Sequence, residues 1–133
     1  NSPWDESSTS IAVDPNGDLF VTGHYNYPIS FGNTTLPVVS YSDMYVAKIQ
    51  SDGTWEWAVS GHSMMAWTTV SEAHGYDIAT DSLGNAFVTG SLATSTQSES
   101  RAFVAKIDGN GTWQWTHIEN SSSSACQCYP ASY

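Results

Sequence analysis

Apolar and polar residues alternate in the same order over two stretches of the chain. Residues 11–23 read Ile-Ala-Val-Asp-Pro-Asn-Gly-Asp-Leu-Phe-Val-Thr-Gly, and residues 78–90 read Ile-Ala-Thr-Asp-Ser-Leu-Gly-Asn-Ala-Phe-Val-Thr-Gly. In each copy a short apolar run is followed by a turn rich in Asp, Asn and Gly and then by a second apolar run. This pattern predicts a β-hairpin in each stretch.

A second repeated pattern follows each hairpin. Tyr-Val-Ala-Lys-Ile at 45–49 precedes Gly-Thr-Trp-Glu-Trp at 53–57, and Phe-Val-Ala-Lys-Ile at 103–107 precedes Gly-Thr-Trp-Gln-Trp at 111–115. The chain therefore contains one unit twice, and each unit consists of a hairpin, a loop and a hairpin. Four sequential antiparallel strands form a β-meander, so we predict an all-β fold of two four-stranded antiparallel sheets.

The boundaries of the two units follow from these patterns. The middle loop is nine residues shorter in the second unit, whereas the strand lengths are kept. In the first unit, strands are predicted at about 10–14, 18–25, 43–50 and 54–60, with a long loop at 26–42. The predicted divisions are a first unit at 1–61, a connector at 62–77, a second unit at 78–119 and a Ser-rich tail containing two cysteines at 120–133.

The charge balance of the chain is strongly acidic. Thirteen acidic and three basic residues give a formal net charge of −10, which makes nucleic acids and anionic membrane surfaces poor partners. No apolar run reaches the roughly 20 residues that a membrane-spanning helix requires. Few Lys and abundant Ser, Thr and Asn favour an extracellular or cell-surface location. Because the chain starts at Asn1 and shows no signal peptide, we expect a processed chain or a piece of a longer one.

The repeated segments resemble a known family. Residues 11–23, 45–49 and 53–57, with their counterparts in the second copy, are similar to the bacterial seven-bladed β-propeller repeat family (SBBP). The resemblance covers about 10–61 and 71–119. It implies that each unit is one propeller-type blade, and it implies little about function because propellers serve unrelated activities.

Two blades are too few to close a propeller, which typically has about four to eight. Each blade normally buries both faces against neighbours, so an isolated pair is expected to leave two apolar faces in water. Side-chain alternation places Trp55 and Trp57 together on one such face, or else their counterparts Trp113 and Trp115. Copies of the chain could close a ring or stack into a filament, or the chain could be a fragment of a longer propeller. We expect self-assembly, with Trp67 of the connector as a further packing residue.

Two lysines occupy the same point of an otherwise apolar strand. Lys48 and Lys106 are two of the three basic residues of the chain. A lysine in a covered strand needs an acidic partner or a route to water. We therefore predict structural ion pairs of Lys48 with Asp14 and of Lys106 with Asp81, rather than a catalytic or ligand-binding role.

The sequence offers little support for metal binding or catalysis. The turns at 14–18, 81–85 and 108–111 contain the Asp, Asn and Gly of calcium loops but lack the bidentate Glu of an EF-hand. We interpret them as hairpin turns and expect no cofactor, with calcium as a weak alternative. The four histidines are dispersed, unlike the ligands of a zinc site, and are expected in loops or on the surface. Since no Gly-x-Ser-x-Gly motif supports a triad, we expect no catalytic residue and no enzyme.

Two kinds of covalent modification are candidates. Asn33, Asn110 and Asn120 each begin an Asn-x-Ser/Thr sequon and are candidate glycosylation sites. Cys126 and Cys128 are poorly spaced for a bridge to each other, so they either pair with another chain or stay free. In an oxidising compartment we favour a disulfide between chains.

These features together favour an extracellular, non-enzymatic structural protein that assembles with copies of itself into a surface fibre or ring. The first alternative is a carbohydrate-binding module that uses loop aromatics such as Tyr25 and Tyr27. The chain could also be a fragment of a longer propeller, and a hydrolase or lyase is the third function considered.

Overall fold

The computed structural model describes residues 5–64, 69–94 and 97–119. This part of the chain contains ten β-strands and a single turn of 3-10 helix at Gly61–Ser63. The strands are β1 (Glu6–Val13), β2 (Leu19–Tyr25), β3 (Ile29–Phe31), β4 (Thr34–Leu36), β5 (Asp43–Ile49), β6 (Trp55–Ser60), β7 (Val70–Thr80), β8 (Ala86–Thr94), β9 (Gln97–Ile107) and β10 (Trp113–Ile118). These residues include no helix that is both long and apolar enough to cross a lipid bilayer.

Eight of the strands form two antiparallel sheets of four strands each. The first sheet has the order β1-β2-β5-β6, the second has the order β7-β8-β9-β10, and β3 and β4 form a separate hairpin. The prediction of two four-stranded antiparallel meanders is confirmed, and neither sheet closes into a barrel. The first sheet is termed the first blade and the second sheet the second blade.

The hairpin turns of the two blades share one construction. Oδ1 of Asp14 accepts hydrogen bonds from the backbone N–H groups of Asn16 and Asp18, at 2.9 and 3.0 Å. The turn then passes through Gly17 with a φ of 84°, a conformation that is costly for residues with a Cβ. Because this chemistry is local, it could be read from the sequence.

Three element boundaries differ from those predicted. β1 begins at Glu6 rather than near residue 10. Its first half, Glu-Ser-Ser-Thr, has no apolar residue to indicate a strand, and the register shifts between Ser8 and Ser10. The loop at 26–42 contains the β3–β4 hairpin, whose three-residue strands are too short to give a periodic signal. β7 begins at Val70, inside the predicted connector.

A β-bulge in β6 changes the direction of one tryptophan. Lys48 pairs with Trp57 while the adjacent Ile49 pairs with Trp55, so Glu56 is the extra residue. Adjacent residues of β5 point to opposite faces, and their partners therefore do the same. The prediction that Trp55 and Trp57 share a face is wrong for this reason. A register shift between Trp113 and Trp115 repeats the arrangement in β10.

Two apolar cores follow from this arrangement. The larger core lies between the blades, and its fully buried members include Phe20, Val46, Val88, Phe103 and Ile107. The smaller core lies between the other face of the first blade and the β3–β4 hairpin, and contains Tyr25, Phe31, Leu36, Tyr45, Ala47 and Ala58.

The β3–β4 hairpin corrects the expectation that both outer faces of the blade pair are open. Phe31 packs its ring 4.9 Å from that of Tyr45 and 5.0 Å from that of Trp55, measured between centroids. The hairpin thereby covers the side chains of β2, β5 and β6 on the outer face of the first blade. Within the described residues, the outer face of the second blade has no such cover.

Candidate functional site

The repeated sequence allows the two blades to be matched residue by residue. The first blade turns one face toward the second blade, and the matching face of the second blade points away from the first. The face that the first blade turns toward the second is termed the covered face and carries Phe20, Val46, Lys48 and Trp57. The matching face of the second blade is termed the open face and carries Phe87, Val104, Lys106 and Trp115.

The two faces differ in exposure more than in composition. Val46 is 0% exposed, whereas its counterpart Val104 is 42% exposed. Trp115 is 40% exposed and packs its ring 6.1 Å from that of Phe87. The chain thus presents on its open face nearly the same side chains that it buries on its covered face.

The charged centre of the covered face is Lys48. Its Nζ lies 3.3 Å from Oε2 of Glu56 and 3.8 Å from Oδ2 of both Asp14 and Asp18. The Nζ also stands 5.5 Å from the ring centroid of Phe20, within cation–π range. The predicted partners Lys48 and Asp14 are therefore brought together, and two carboxylates that were not predicted join them.

The matching position on the open face is less acidic. Asn85 and Gln114 stand where the first blade has Asp18 and Glu56, so that Asp81 is the remaining carboxylate of the set. No carboxylate of the described residues lies within ion-pair distance of Lys106, whose Nζ stands 5.7 Å from the ring centroid of Phe87. The side-chain hydrogen bond from Asn85 holds the pKa of Asp81 below its usual value, with a smaller contribution from Lys106.

The covered face receives a turn of the second blade. The carbonyl oxygen of Gly109 accepts hydrogen bonds from Nε1 of Trp57 at 2.9 Å and from Nζ of Lys48 at 3.3 Å. Two residues further on, Gly111 lies so close to the indole that a Cβ there would stand 2.9 Å from a ring atom of Trp57. The turn between β9 and β10 is thus held against the first blade by two hydrogen bonds to the carbonyl oxygen of Gly109 and by the close packing of Gly111 on the indole of Trp57.

The comparison with known protein families bears on this repeated architecture. Residues 73–91, which run from β7 into β8, match the family model of the SBBP β-propeller repeat. The chain carries an SBBP propeller repeat. None of the curated proteins compared with the chain matches it. The match supports a propeller-type fragment within the second blade, and the function of the chain has to be argued from its surfaces.

Other tryptophans serve the interior of the pair of blades. Nε1 of Trp113 donates to the carbonyl oxygen of Ser60 at 3.2 Å and to Oγ of Ser63 at 2.8 Å, which ties β10 to the end of the first blade. Trp55 packs under the β3–β4 hairpin. Trp67 lies outside the described residues.

The histidines are less peripheral than the sequence indicated. Nδ1 of His62 lies 2.7 Å from Oδ2 of Asp43, a carboxylate with no exposed surface. Burial raises the pKa of Asp43, although its hydrogen bonds and the charge of His62 oppose the shift. His24 and His74 stack across the two blades with ring centroids 4.4 Å apart. Asp43 and His62 are 19 positions apart in the sequence, and His24 and His74 are 50 positions apart, so sequence spacing alone could not predict either contact.

The remaining predicted sites are distributed as follows. Asn33 and Asn110 are exposed at the tips of hairpin turns. Asn120, Cys126 and Cys128 lie outside the described residues. Tyr27 is 48% exposed, but Tyr25 is fully buried and cannot offer its ring to a sugar, so that part of the carbohydrate hypothesis is wrong.

The Asp-containing turns use their carboxylates for the backbone. Oδ1 of Asp81 accepts from the N–H groups of Leu83 and Asn85, and Oδ1 of Asp108 accepts from those of Asn110 and Thr112. In the part of the chain that the structure describes, no three His, Cys, Asp or Glu residues are grouped as metal ligands.

Proposed function

We propose that this SBBP-type chain is an extracellular, non-enzymatic structural module that assembles with copies of itself through the open face of its second blade. The supporting observation is that the same set of side chains is buried in the first blade and exposed in the second. An exposed apolar surface of this kind marks an interaction site more often than a free surface. Covering it would remove the exposed parts of Val104 and Trp115 from water, a favourable change.

The charge on the open face fits a partner that resembles the chain itself. Lys106 has fewer local carboxylates than Lys48, so it is the better placed of the two to attract an acidic neighbour. A second copy of the chain can supply such acidic groups, since 13 of its residues are acidic. A further blade of a longer propeller would meet the same face in the same way.

Sedimentation equilibrium of the purified chain over a wide concentration range tests the proposal. We expect the mean mass to rise with concentration and Trp115→Ala to reduce that rise, with Tyr41→Ala as a control at another exposed aromatic residue. Electron microscopy of the same samples separates rings from filaments. A monomer at every concentration would overturn the proposal.

An extracellular location is part of the proposal. The composition supports it, and the exposed tips that carry Asn33 and Asn110 are accessible to a glycosylating enzyme. Intact mass after secretion from a glycosylating host tests the modification, and Asn33→Gln should remove one glycan. An unshifted mass in that host would exclude it.

A cofactor is not part of the proposed function. The turn carboxylates that could bind calcium already accept backbone hydrogen bonds. Excess EDTA is therefore expected to leave the melting temperature unchanged, and a lower melting temperature restored by added calcium would contradict this.

Carbohydrate binding is the second candidate function. Val104, Trp115, His117 and Glu119 line a shallow depression on the open face, where an exposed indole lies near polar groups. Aromatic faces that stack on sugars are compatible with this arrangement. Glycan-array binding that is lost in Trp115→Ala but kept in Tyr41→Ala would favour this function over self-assembly.

A further inference from the structure

The contact between the two blades has two complementary halves. One half is the pair of donors, Lys48 and Trp57, and the other half is the turn that presents the carbonyl oxygen of Gly109. Each half has a counterpart elsewhere in the repeat, and these counterparts do not meet each other within the chain. Lys106 and Trp115 correspond to the donors, and Ser51 corresponds to Gly109.

The unused turn is free to dock. Residues 51–54, between β5 and β6, are exposed. Gly53 corresponds to Gly111 and has a similar φ of 92°, yet a Cβ built on Gly53 would have no atom within 4 Å. The space that an indole fills beside Gly111 is therefore open beside Gly53.

A second observation points to the same end of the molecule. Ile11 is 58% exposed, whereas its counterpart Ile78 is 5% exposed because the first blade covers it. Thr80, close to Ile78 in β7, also donates a side-chain hydrogen bond of 2.6 Å to the carbonyl oxygen of Val13. The β3–β4 hairpin leaves Ile11 and Val13 largely uncovered, so these residues and the turn at 51–54 form one receptive end.

We propose that a second copy of this chain docks head to tail, with Lys106 and Trp115 of one copy donating hydrogen bonds to the carbonyl oxygen of Ser51 in the next. This inference rests on the proposed self-assembly and specifies its geometry. The two surfaces are different, so the contact is heterologous and leads to a ring or a filament rather than a closed two-fold dimer. The receiving turn also carries Asp52, whose charge is opposite to that of Lys106.

Two variants block the two halves separately. Trp115→Ala removes the donor indole and keeps the turn. Ser51→Arg keeps the open face and blocks the turn. At the corresponding Gly109, a Cβ would lie 3.7 Å from Nζ of Lys48. An arginine at position 51 would therefore place a cation close to Lys106 of the neighbouring copy. Tyr41→Arg makes the same charge change before the start of β5, at the opposite end of that strand from the turn, and serves as the matched control.

Mixing the variants tests the geometry. Each blocked variant alone is expected to associate at least about thirtyfold more weakly than the wild-type chain, the loss typical of removing a central interface residue. A mixture of the two is expected to form a heterodimer, because the intact open face of Ser51→Arg can dock on the intact turn of Trp115→Ala. Assembly is expected to stop there, because the two remaining surfaces are the blocked ones. Tyr41→Arg should assemble as the wild-type chain does.

The outcomes separate the two proposals. If wild-type chains associate but Ser51→Arg alone associates equally well, or if the mixture forms no heterodimer, the head-to-tail contact is refuted while self-assembly stands. A wild-type chain that remains monomeric refutes self-assembly itself. Melting temperatures of both blocked variants within a few degrees of the wild-type value show that they remain folded.

Discussion

Replacing Lys48 by Met is expected to destabilise the protein strongly, whereas the same change at Lys106 is not. The ammonium group of Lys48 is surrounded by three carboxylates and by the carbonyl oxygen of Gly109. The side chain of Asp14 is 1% exposed, so without Lys48 its charge would remain in nearly dry surroundings. Breaking a buried pair in this way typically costs about 3–5 kcal/mol.

The expected loss lies at the lower end of that range. Asp18 and Glu56 are partly exposed, and Asp14 keeps two backbone hydrogen bonds to its Oδ1. We expect a loss of about 3 kcal/mol in the free energy of unfolding, which for a chain of this length lowers the melting temperature by roughly 10 °C. Lys106→Met is expected to cost below about 1 kcal/mol, because Lys106 is only half-buried and has no carboxylate of the described residues within ion-pair distance.

Thermal and urea unfolding of both variants measure these losses, and a double-mutant cycle isolates the pair. Asp14→Asn removes the charge but keeps an oxygen that can accept the same backbone hydrogen bonds. The combination Asp14→Asn with Lys48→Met is expected to cost less than the sum of the single changes by about 1–2 kcal/mol. Equal losses for Lys48→Met and Lys106→Met, or strictly additive losses in the cycle, would refute the reasoning.

Three further predictions concern backbone fit and pH. Gly53→Ala should lower the free energy of unfolding by about 1 kcal/mol because of the positive φ at this position. Gly111→Ala should cost about 1–3 kcal/mol more, because its Cβ would also meet the indole of Trp57 in the first blade. Equal unfolding midpoints of the two variants would contradict this. Gly90→Ala should prevent folding, since its Cβ would lie 1.9 Å from the carbonyl oxygen of His74; a native circular dichroism spectrum would disprove the close approach. Burial, together with the stacked His24, lowers the pKa of His74, so the unfolded chain binds this proton more readily and stability should fall as the pH drops below about 6.5. His74→Gln should reduce the difference between melting temperatures measured above and below that pH, and an unchanged difference would assign the effect to other groups.

The hairpins and the matching of the two blades could be predicted because their causes are local or repeated. An Asp followed three residues later by Gly, as at 14–17 and 81–84, determines a turn wherever the neighbouring strands are. The repeat then aligns Lys48 with Lys106, and strand alternation places Asp14 and Lys48 on the same face of the first blade, with β2 between them.

The features that sequence reasoning missed depend on pairing across the sheet. The bulge in β6 is defined by which residues of β5 its tryptophans face, and strict alternation places Trp57 on the wrong side of the sheet. The contact of Asp43 with His62 joins two elements that only the folded sheet brings together. The β3–β4 hairpin acquires its strand character by packing Phe31 and Leu36 on the blade rather than from its own pattern.

The nine-residue difference between the two middle loops has a consequence for how blades are ordered. In the second blade, β8 ends at Thr94 and β9 begins at Gln97, and the face that a longer connection would cover is already occupied by the first blade. In the first blade the longer connection folds over that same face. The length of this loop therefore distinguishes a blade that covers part of its own face from a blade whose equivalent face is covered by its neighbour, so that a loop insertion or deletion can change where in a row of repeats a blade fits without altering any strand.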